Sequence, residues 1–337
     1  MATYNFTVRA SDSAGAYADQ NFSIDVLRTR IDRFVIACDT GVMRSVDGKT
    51  WVAEAAPPMN SLDYANRLWV GTLSNINTLA IVTSTDAVNW KTIPVNLPKP
   101  TGATVVQISS VKYRGGKWMA FGTCDGPAGR IVEWSSSDLV TWTLVGTTIT
   151  SPAQQILISD FEYDSATSTT VLYVYSASGT TNGVWTRVGA GTFSQVIVAQ
   201  TSSFGTVQFR NGLWMMHNTT ASLFLSRDGV NWYSRIPGNN QLVTGVTFNN
   251  GQIVAHVYSS SSGIYSTFHS SNGGITWENR FNSGSGSYGR QTIAAYGGTL
   301  VMISSNTLNY FSEGGTVTNT NQTYFAGTPR FAATRQA

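Results

Sequence analysis

Two cysteines, Cys38 and Cys124, are all the chain of 337 residues contains, so a disulfide framework is excluded. Three histidines, His217, His256 and His269, with no HExxH and no CxxC, leave almost no ligands for a metal site, and none is expected. Charged residues make up 12%, about half the usual ~25% share. The net charge of +3 is too weak and scattered for the basic stripe that phosphate contacts require, so no nucleic-acid partner is expected. No apolar run approaches the ~18 residues of a membrane span. The start, MATYNFTVRAS, has neither the charged nor the apolar region of a signal peptide. Gly-rich phosphate or dinucleotide motifs are missing, and no cofactor is implied. What remains is a chain 42% hydrophobic, with 32 glycines and ten tryptophans, a composition suited to many short strands and polar turns.

One phrase recurs along it. Ser45, Asp47 and Trp51 open the series in SVDGKTW, and Ser84, Asp86 and Trp90 repeat it. Ser136, Asp138 and Trp142 follow, then Ser226, Asp228 and Trp232. A form one residue longer carries Ser270, Asn272 and Trp277. The period is about 45 residues, with a double interval between Asp138 and Asp228. A degenerate copy at Trp185-Thr186 is expected to fill that gap, and an eroded one at Ser312–Val317 would complete seven. Ser and Asp oxygens can accept hydrogen bonds from backbone N–H groups just ahead of them, which locks a tight turn. Glycine or asparagine supplies positive φ, and Trp opens the next strand with a large buried area. The phrase is therefore a hairpin staple. A turn and a β-rich segment precede each copy, as in Gly116-Lys117-Trp118-Met119 and Gly212-Leu213-Trp214-Met215. Four strands in each period make a propeller blade.

The staple resembles the Asp-box (BNR) repeat of sialidase-like β-propellers, S-x-D-x-G-x-T-W, over roughly residues 31–334. The resemblance implies an all-β, seven-bladed propeller over residues 31–337, with six or eight blades also compatible. It implies too that the boxes lie at the periphery, away from a binding face. The first unit, RFVIACDTGVMRSVDGKTW, lacks an innermost strand, and TYFAGTPRFAAT near the C-terminus is expected to supply it.

Residues 1–30 stand outside the repeat. Alternation of Tyr4, Phe6 and Val8, then of Phe22, Ile24 and Val26, flanks a turn-rich DSAG and reads as a β-hairpin. It resembles the last two strands of an Ig-like or cadherin-like module. A lone hairpin is marginal in water, so it is expected either to pack on the propeller or to anchor the chain on another protein by strand addition.

The sialidase catalytic set is not matched. Ser234-Arg235-Ile236-Pro237 resembles that family's arginine motif in letters but falls late in the chain. Asp63, Asp160 and Glu162, on or near innermost strands, are the best remaining carboxylates for the paired chemistry of a glycosidase. No residue is assigned a catalytic role. The tryptophans are accounted for by packing, six in staples (Trp185 among them), and the cysteines read as half-buried thiols.

The loop face opposite the staples is left as the binding surface. Its candidate residues are Asp125, Arg130, His217, Arg235, Tyr258, Tyr265, Tyr288 and Arg290, set among small polar segments suited to adaptable hydrogen bonding. Low charge, abundant Ser, Thr and Gly, and an incomplete Ig-like hairpin resemble bacteriophage virion proteins. The expected function is a non-enzymatic virion protein, on tail or capsid, binding a host surface glycan or a neighbouring virion protein. It would be assembled in the host cytoplasm and displayed on the particle, with no membrane insertion. A sialidase-like glycan hydrolase and a secreted bacterial carbohydrate-binding adhesin, which would be extracellular, are the alternatives.

Overall fold

The computed structural model describes residues 2–11, 13, 15–26, 33–73, 79–125, 129–151, 156–176, 182–198, 205–218, 223–235, 237, 241–285, 291–296, 298–304, 307–311, 317–320 and 329–334. Every regular element among them is a strand. Seven four-stranded antiparallel sheets follow one another, beside a separate two-stranded sheet at the N-terminus. Blade 2 comprises Met59–Ala65, Leu68–Leu73, Ala80–Ser84 and Lys91–Pro94. Blade 3 comprises Val106–Arg114, Lys117–Cys124, Gly129–Ser136 and Thr143–Ser151, and blade 4 Ile156–Asp164, Thr169–Ser176, Gly183–Val188 and Ser194–Val198. Blade 5 is built from Gly205–Arg210, Leu213–Asn218, Leu223–Ser226 and Tyr233–Ser234. Blade 6 uses Gln241–Asn249, Gln252–Ser259, Ile264–Ser270 and Glu278–Ser285, and blade 7 Gln291–Tyr296, Thr299–Ser304, Thr307–Phe311 and Val317–Thr320.

Blade 1 draws on both ends of the chain. Pro329–Thr334 pairs antiparallel with Phe34–Cys38, and Gly41–Ser45 and Val52–Glu54 complete the sheet. The innermost strand missing from the first repeat is thus supplied from the C-terminus, as its sequence implied. Pro329–Thr334 also packs on the first strands of blades 2 and 7, which closes the ring and removes its open edges.

The staples form as their chemistry requires. Asp47 Oδ1 accepts the N–H groups of Lys49 and Thr50, both at 2.8 Å. Ser45 Oγ accepts Gly48 N–H at 2.8 Å, and the Trp51 indole donates to the Gly48 carbonyl at 2.9 Å. The same bonds recur around Asp86, Asp138 and Asp228. The fourth staple position has positive φ whatever its residue: Gly48 75°, Ala87 58°, Leu139 66° and Gly229 74°. What occupies it is set by the preceding blade. A Cβ on Gly229 would lie 3.0 Å from Thr169 Cγ2 in blade 4, whereas Leu139 fills the core between blades 2 and 3 with Val70, Trp118 and Trp142. Each staple therefore plugs into the blade before it. The hydroxyl of Thr186 in blade 4 also donates to the Gly229 carbonyl at 2.6 Å.

Blade 4 departs from the expected pattern. Trp185 sits within the third strand, paired with Leu172, and is not a staple tryptophan. It shares its place with Trp134, which pairs with Ala120 in blade 3. Equal spacing along the chain had suggested a staple where the hydrogen-bonded turn falls several residues later. Phe193 stands beyond that turn, edge-on to Phe121 at 6.4 Å. Arg187 reaches back to Glu133 of blade 3 at 2.7 Å. The two cysteines are free and buried rather than half-buried, and burial pushes the Cys38 thiol up to about 12.

The first strands of blades 2, 3, 4 and 6 each carry a register shift, a β-bulge that bends the strand at the axis. In blade 3 it lies between Ile108 and Ser110, and the Ser109 carbonyl accepts the Thr72 hydroxyl of blade 2 at 3.1 Å. Gly122 stands opposite, where a Cβ would meet the Gln107 carbonyl oxygen at 1.8 Å, so no side chain fits.

Candidate functional site

The first strands end in alternating residues whose two sets do different work. Tyr64, Tyr113 and Phe209 meet the indoles of Trp69, Trp118 and Trp214 at 4.6, 5.0 and 4.5 Å and fix the strand ends within the blades. Between them stand Asp63 in blade 2, Lys112 and Arg114 in blade 3, Asp160 and Glu162 in blade 4, and Arg210 in blade 5. Three carboxylates and three bases thus gather near the axis, on the side of the staples.

They are joined across the blades. Arg114 grips Glu162 with two nitrogens, Nε to Oε1 and Nη2 to Oε2 at 3.0 Å, while its Nη1 donates to Asp63 Oδ2 at 3.0 Å. Lys112 Nζ lies 2.8 Å from Asp160 Oδ1 and 3.6 Å from Glu162 Oε2, and Arg210 Nη1 is 4.0 Å from Glu162 Oε2. Asp160 Oδ2 accepts the backbone N–H of Val207 in blade 5 at 3.0 Å. The Glu162 side chain is only 3% exposed. Burial pushes its carboxyl up, but the charges of Arg114 and Lys112 outweigh burial and hold it below the usual carboxylate range. Burial also pushes Asp160 up, and there Lys112 offsets it only in part. Lys112 and Arg114 are both raised, since the facing carboxylates overcome the cost of burial.

The sequence singled out Asp63, Asp160 and Glu162, on or near innermost strands, but missed the bases that face them. The signal lay in the alternation D-Y, K-Y-R, D-F-E-Y and Q-F-R at the ends of successive first strands.

The loop-face candidates fare differently. Asp125 accepts the N–H groups of Thr104 and Val105 at 2.8 Å and the Thr104 hydroxyl. Arg130 donates to the carbonyls of Thr101 at 3.1 Å and Asp125 at 2.6 Å. With the Trp134 indole bonded to the Pro98 carbonyl at 2.8 Å, these residues hold the 96–105 loop in one shape. His217 is no loop residue: it is buried in the second strand of blade 5, its Nδ1 2.9 Å from Thr206 Oγ1. Tyr265 is likewise a buried strand residue, stacked on His256 at 5.2 Å and 4.8 Å from Tyr258, which is half-buried. Arg235 is half-buried beside Gly274 of the next staple, its guanidinium 4.7 Å from the Tyr233 ring. Tyr288 and Arg290 lie outside the described residues.

The N-terminal hairpin pairs Ala2–Ser11 with Tyr17–Val26. Its register places Tyr4 opposite Ile24, Phe6 opposite Phe22 and Val8 opposite Gln20 on one face. The other face carries an Arg9–Asp19 pair at 2.7 Å and a Thr7–Asn21 bond at 2.7 Å. Val8 is 48% exposed. Among the described residues no group of three or more His, Cys, Asp or Glu is placed to hold a metal ion, and no helix is long and apolar enough to cross a membrane.

No family model matches the chain, and no curated protein matches it in sequence. Solved structures do. A putative 6-phosphogluconolactonase from Bacteroides uniformis is 12% identical with a TM-score of 0.61, over 89% of this chain and 98% of that one. The periplasmic gluconolactonase of Pseudomonas aeruginosa is 10% identical with a TM-score of 0.58, again over 89% and 98%. A Hadza microbial sialidase is 12% identical with a TM-score of 0.47, over 78% of this chain and 69% of that one. At such identities the likeness to the two lactonases is one of fold alone, and it accords with the all-β propeller described above.

Proposed function

We propose that the chain is a non-catalytic attachment protein: an Asp-box propeller, internally locked, that presents its loop face to a glycan or a protein and is itself anchored by the N-terminal hairpin. The observation that carries this reading is the use made of the axial carboxylates. Glycoside hydrolysis needs one carboxyl free to give a proton and another free to attack or to activate water. Here both oxygens of Glu162 are clamped by one guanidinium, and both oxygens of Asp160 accept N–H donors. The cluster reads as a clasp across blades 2 to 5 rather than as a reaction centre. One observation favours the hydrolase reading: Asp160 and Glu162 are displaced in opposite directions, as in an acid/base pair.

The hairpin supports the anchoring half of the proposal. It forms a sheet of its own, and its register sets the alternating apolar positions on one side and the exposed Arg9–Asp19 and Thr7–Asn21 pairs on the other. Its resemblance to Ig-like strands, with the low charge of the chain, supports a bacteriophage particle as the setting. Incubating purified virions with the full chain and with a chain lacking residues 1–30 tests this. Full-length binding that disappears on truncation, with the propeller's unfolding transition unchanged, is the expected result. Undiminished binding of the truncated chain would refute the anchor.

A further inference from the structure

One ion pair of the axial cluster differs from the others in its chemistry. Asp63 and Glu162 face the guanidinium of Arg114, which stays charged and is no nucleophile. Asp160 faces a primary amine instead, with Lys112 Nζ 2.8 Å from its Oδ1. The two residues sit on the first strands of blades 3 and 4, each paired within its own blade, with Met119 and with Tyr173. Their side chains are only 12% and 17% exposed. A nitrogen 2.8 Å from one carboxylate oxygen stands within roughly 4 Å of the carboxyl carbon, given a C–O bond of ~1.2 Å. That approaches the ~3–3.5 Å of a near-attack arrangement.

The surroundings suit amide formation. Asp160 Oδ2 accepts the backbone N–H of Val207 at 3.0 Å, a donor set where negative charge develops when an amine adds to the carboxyl carbon. Glu162 Oε2, 3.6 Å from Nζ, is a fixed negative charge where positive charge develops on the nitrogen. Against burial, Arg114 keeps that carboxylate ionised and holds it in place. The Phe161 ring lies 5.4 Å from Nζ and supplies an apolar wall in place of water. Burial raises Asp160, so its carboxyl takes up a proton more readily than a free one. Against burial, the facing carboxylates raise Lys112 too, which keeps the neutral amine scarce. The reaction open to this pair is therefore slow, and the ion pair is its starting state.

We propose that Lys112 and Asp160 join in a spontaneous isopeptide bond, which ties blade 3 covalently to blade 4 at the axis. Within the pair a proton first passes from Nζ to Oδ1, leaving a neutral amine and a neutral carboxyl. The Nζ lone pair then bonds to the carboxyl carbon, and the electron pair displaced onto Oδ2 is stabilised by the Val207 N–H. A second proton moves from Nζ to Oδ1, the bond from carbon to Oδ1 breaks, and one water leaves. The product is a secondary amide whose carbonyl oxygen is Oδ2, so the hydrogen bond from Val207 is kept. An ammonium and a carboxylate have become an amide and water, and no further reactant is required.

Intact mass spectrometry of the full chain, sampled over days at neutral pH, tests this. A species lighter by one water is expected to accumulate. Its digest should contain a branched peptide joining the segments around Lys112 and Asp160, uncut by trypsin after Lys112. Lys112→Arg keeps the ion pair but removes the nucleophile, so that variant should stay at full mass. The parent's own peptide map decides the question should the variant fail to fold. A parent mass that never changes would overturn the proposal. So would a water loss that persists in Lys112→Arg, or one that maps only to an Asp-Gly pair such as Asp228-Gly229, which can lose water by closing on itself.

Discussion

Replacing Glu162 by glutamine removes one negative charge from the centre of the axial cluster while keeping its shape. Arg114 then loses its two-pronged partner, and Lys112, Arg114 and Arg210 are left facing only Asp63 and Asp160. Because the Glu162 side chain is 3% exposed, water cannot replace what is lost. Removing one partner of such a buried pair costs about 3–5 kcal/mol. Asp160→Asn should cost much less, about 1–2 kcal/mol, because an amide oxygen can still accept the Val207 N–H and a carboxyl already disfavoured by burial is removed. The pH dependence separates the two further. Glu162 is lowered in the folded state, so the stability it contributes is present above its unfolded pKa and is lost as pH falls toward the folded value. Asp160 is raised, so its contribution is fully present only below its unfolded pKa and lost as pH rises through the folded one. Urea unfolding of the parent and both variants between pH 3 and 8 reads both effects. The parent should lose stability more steeply below about pH 4.5, where free carboxyls protonate, and Glu162→Gln should show a flatter limb in that range. A neutral Glu162→Gln, or a larger loss from Asp160→Asn, would refute the clasp.

Other consequences follow from the same geometry. Asp228→Ala deprives Val230 and Asn231 of their acceptor and should lower stability by about 1 kcal/mol, as loss of a capping side chain does, in a thermal melt. Leu139→Gly relieves a positive φ yet empties the seat between blades 2 and 3, with a net loss of about 2–4 kcal/mol by urea midpoint. Deleting residues 329–337 removes the strand that closes blade 1, so limited proteolysis should cut the truncated chain near residues 33–54 well before the parent. His256 is buried and held down to about 3, below its unfolded value. Between about pH 6.5 and 4.5, above the range where the carboxylates act, the parent should therefore lose about 1 kcal/mol per pH unit, and His256→Gln should reduce that slope, leaving the smaller part due to His269, which burial also lowers.

The staples were legible because their chemistry is local. Ser45, Asp47 and Trp51 interact within seven residues, so the pattern repeats in the sequence wherever it repeats in space. Closure by Pro329–Thr334 was legible for the opposite reason, since one repeat visibly lacked its innermost strand. Trp185 misled because spacing alone placed it, and a period of ~45 residues carries a tolerance wider than one strand. His217 and Tyr265 misled because the chain does not announce where a strand yields to a loop. The signs of Asp63, Lys112, Arg114, Asp160, Glu162 and Arg210 were present at matching strand ends. Their pairing depends on first strands of four blades meeting at the axis, a long-range consequence of ring closure that no single repeat encodes.

The most direct test of a binding rather than catalytic role is a turnover assay of the full chain on δ-gluconolactone and an aryl sialoside, run beside Glu162→Gln and Asp160→Asn at a temperature where all three are folded. The account predicts rates equal to buffer for every substrate and every protein. Turnover by the parent that vanishes in either variant would show that the axial carboxylates do chemistry, and would contradict it.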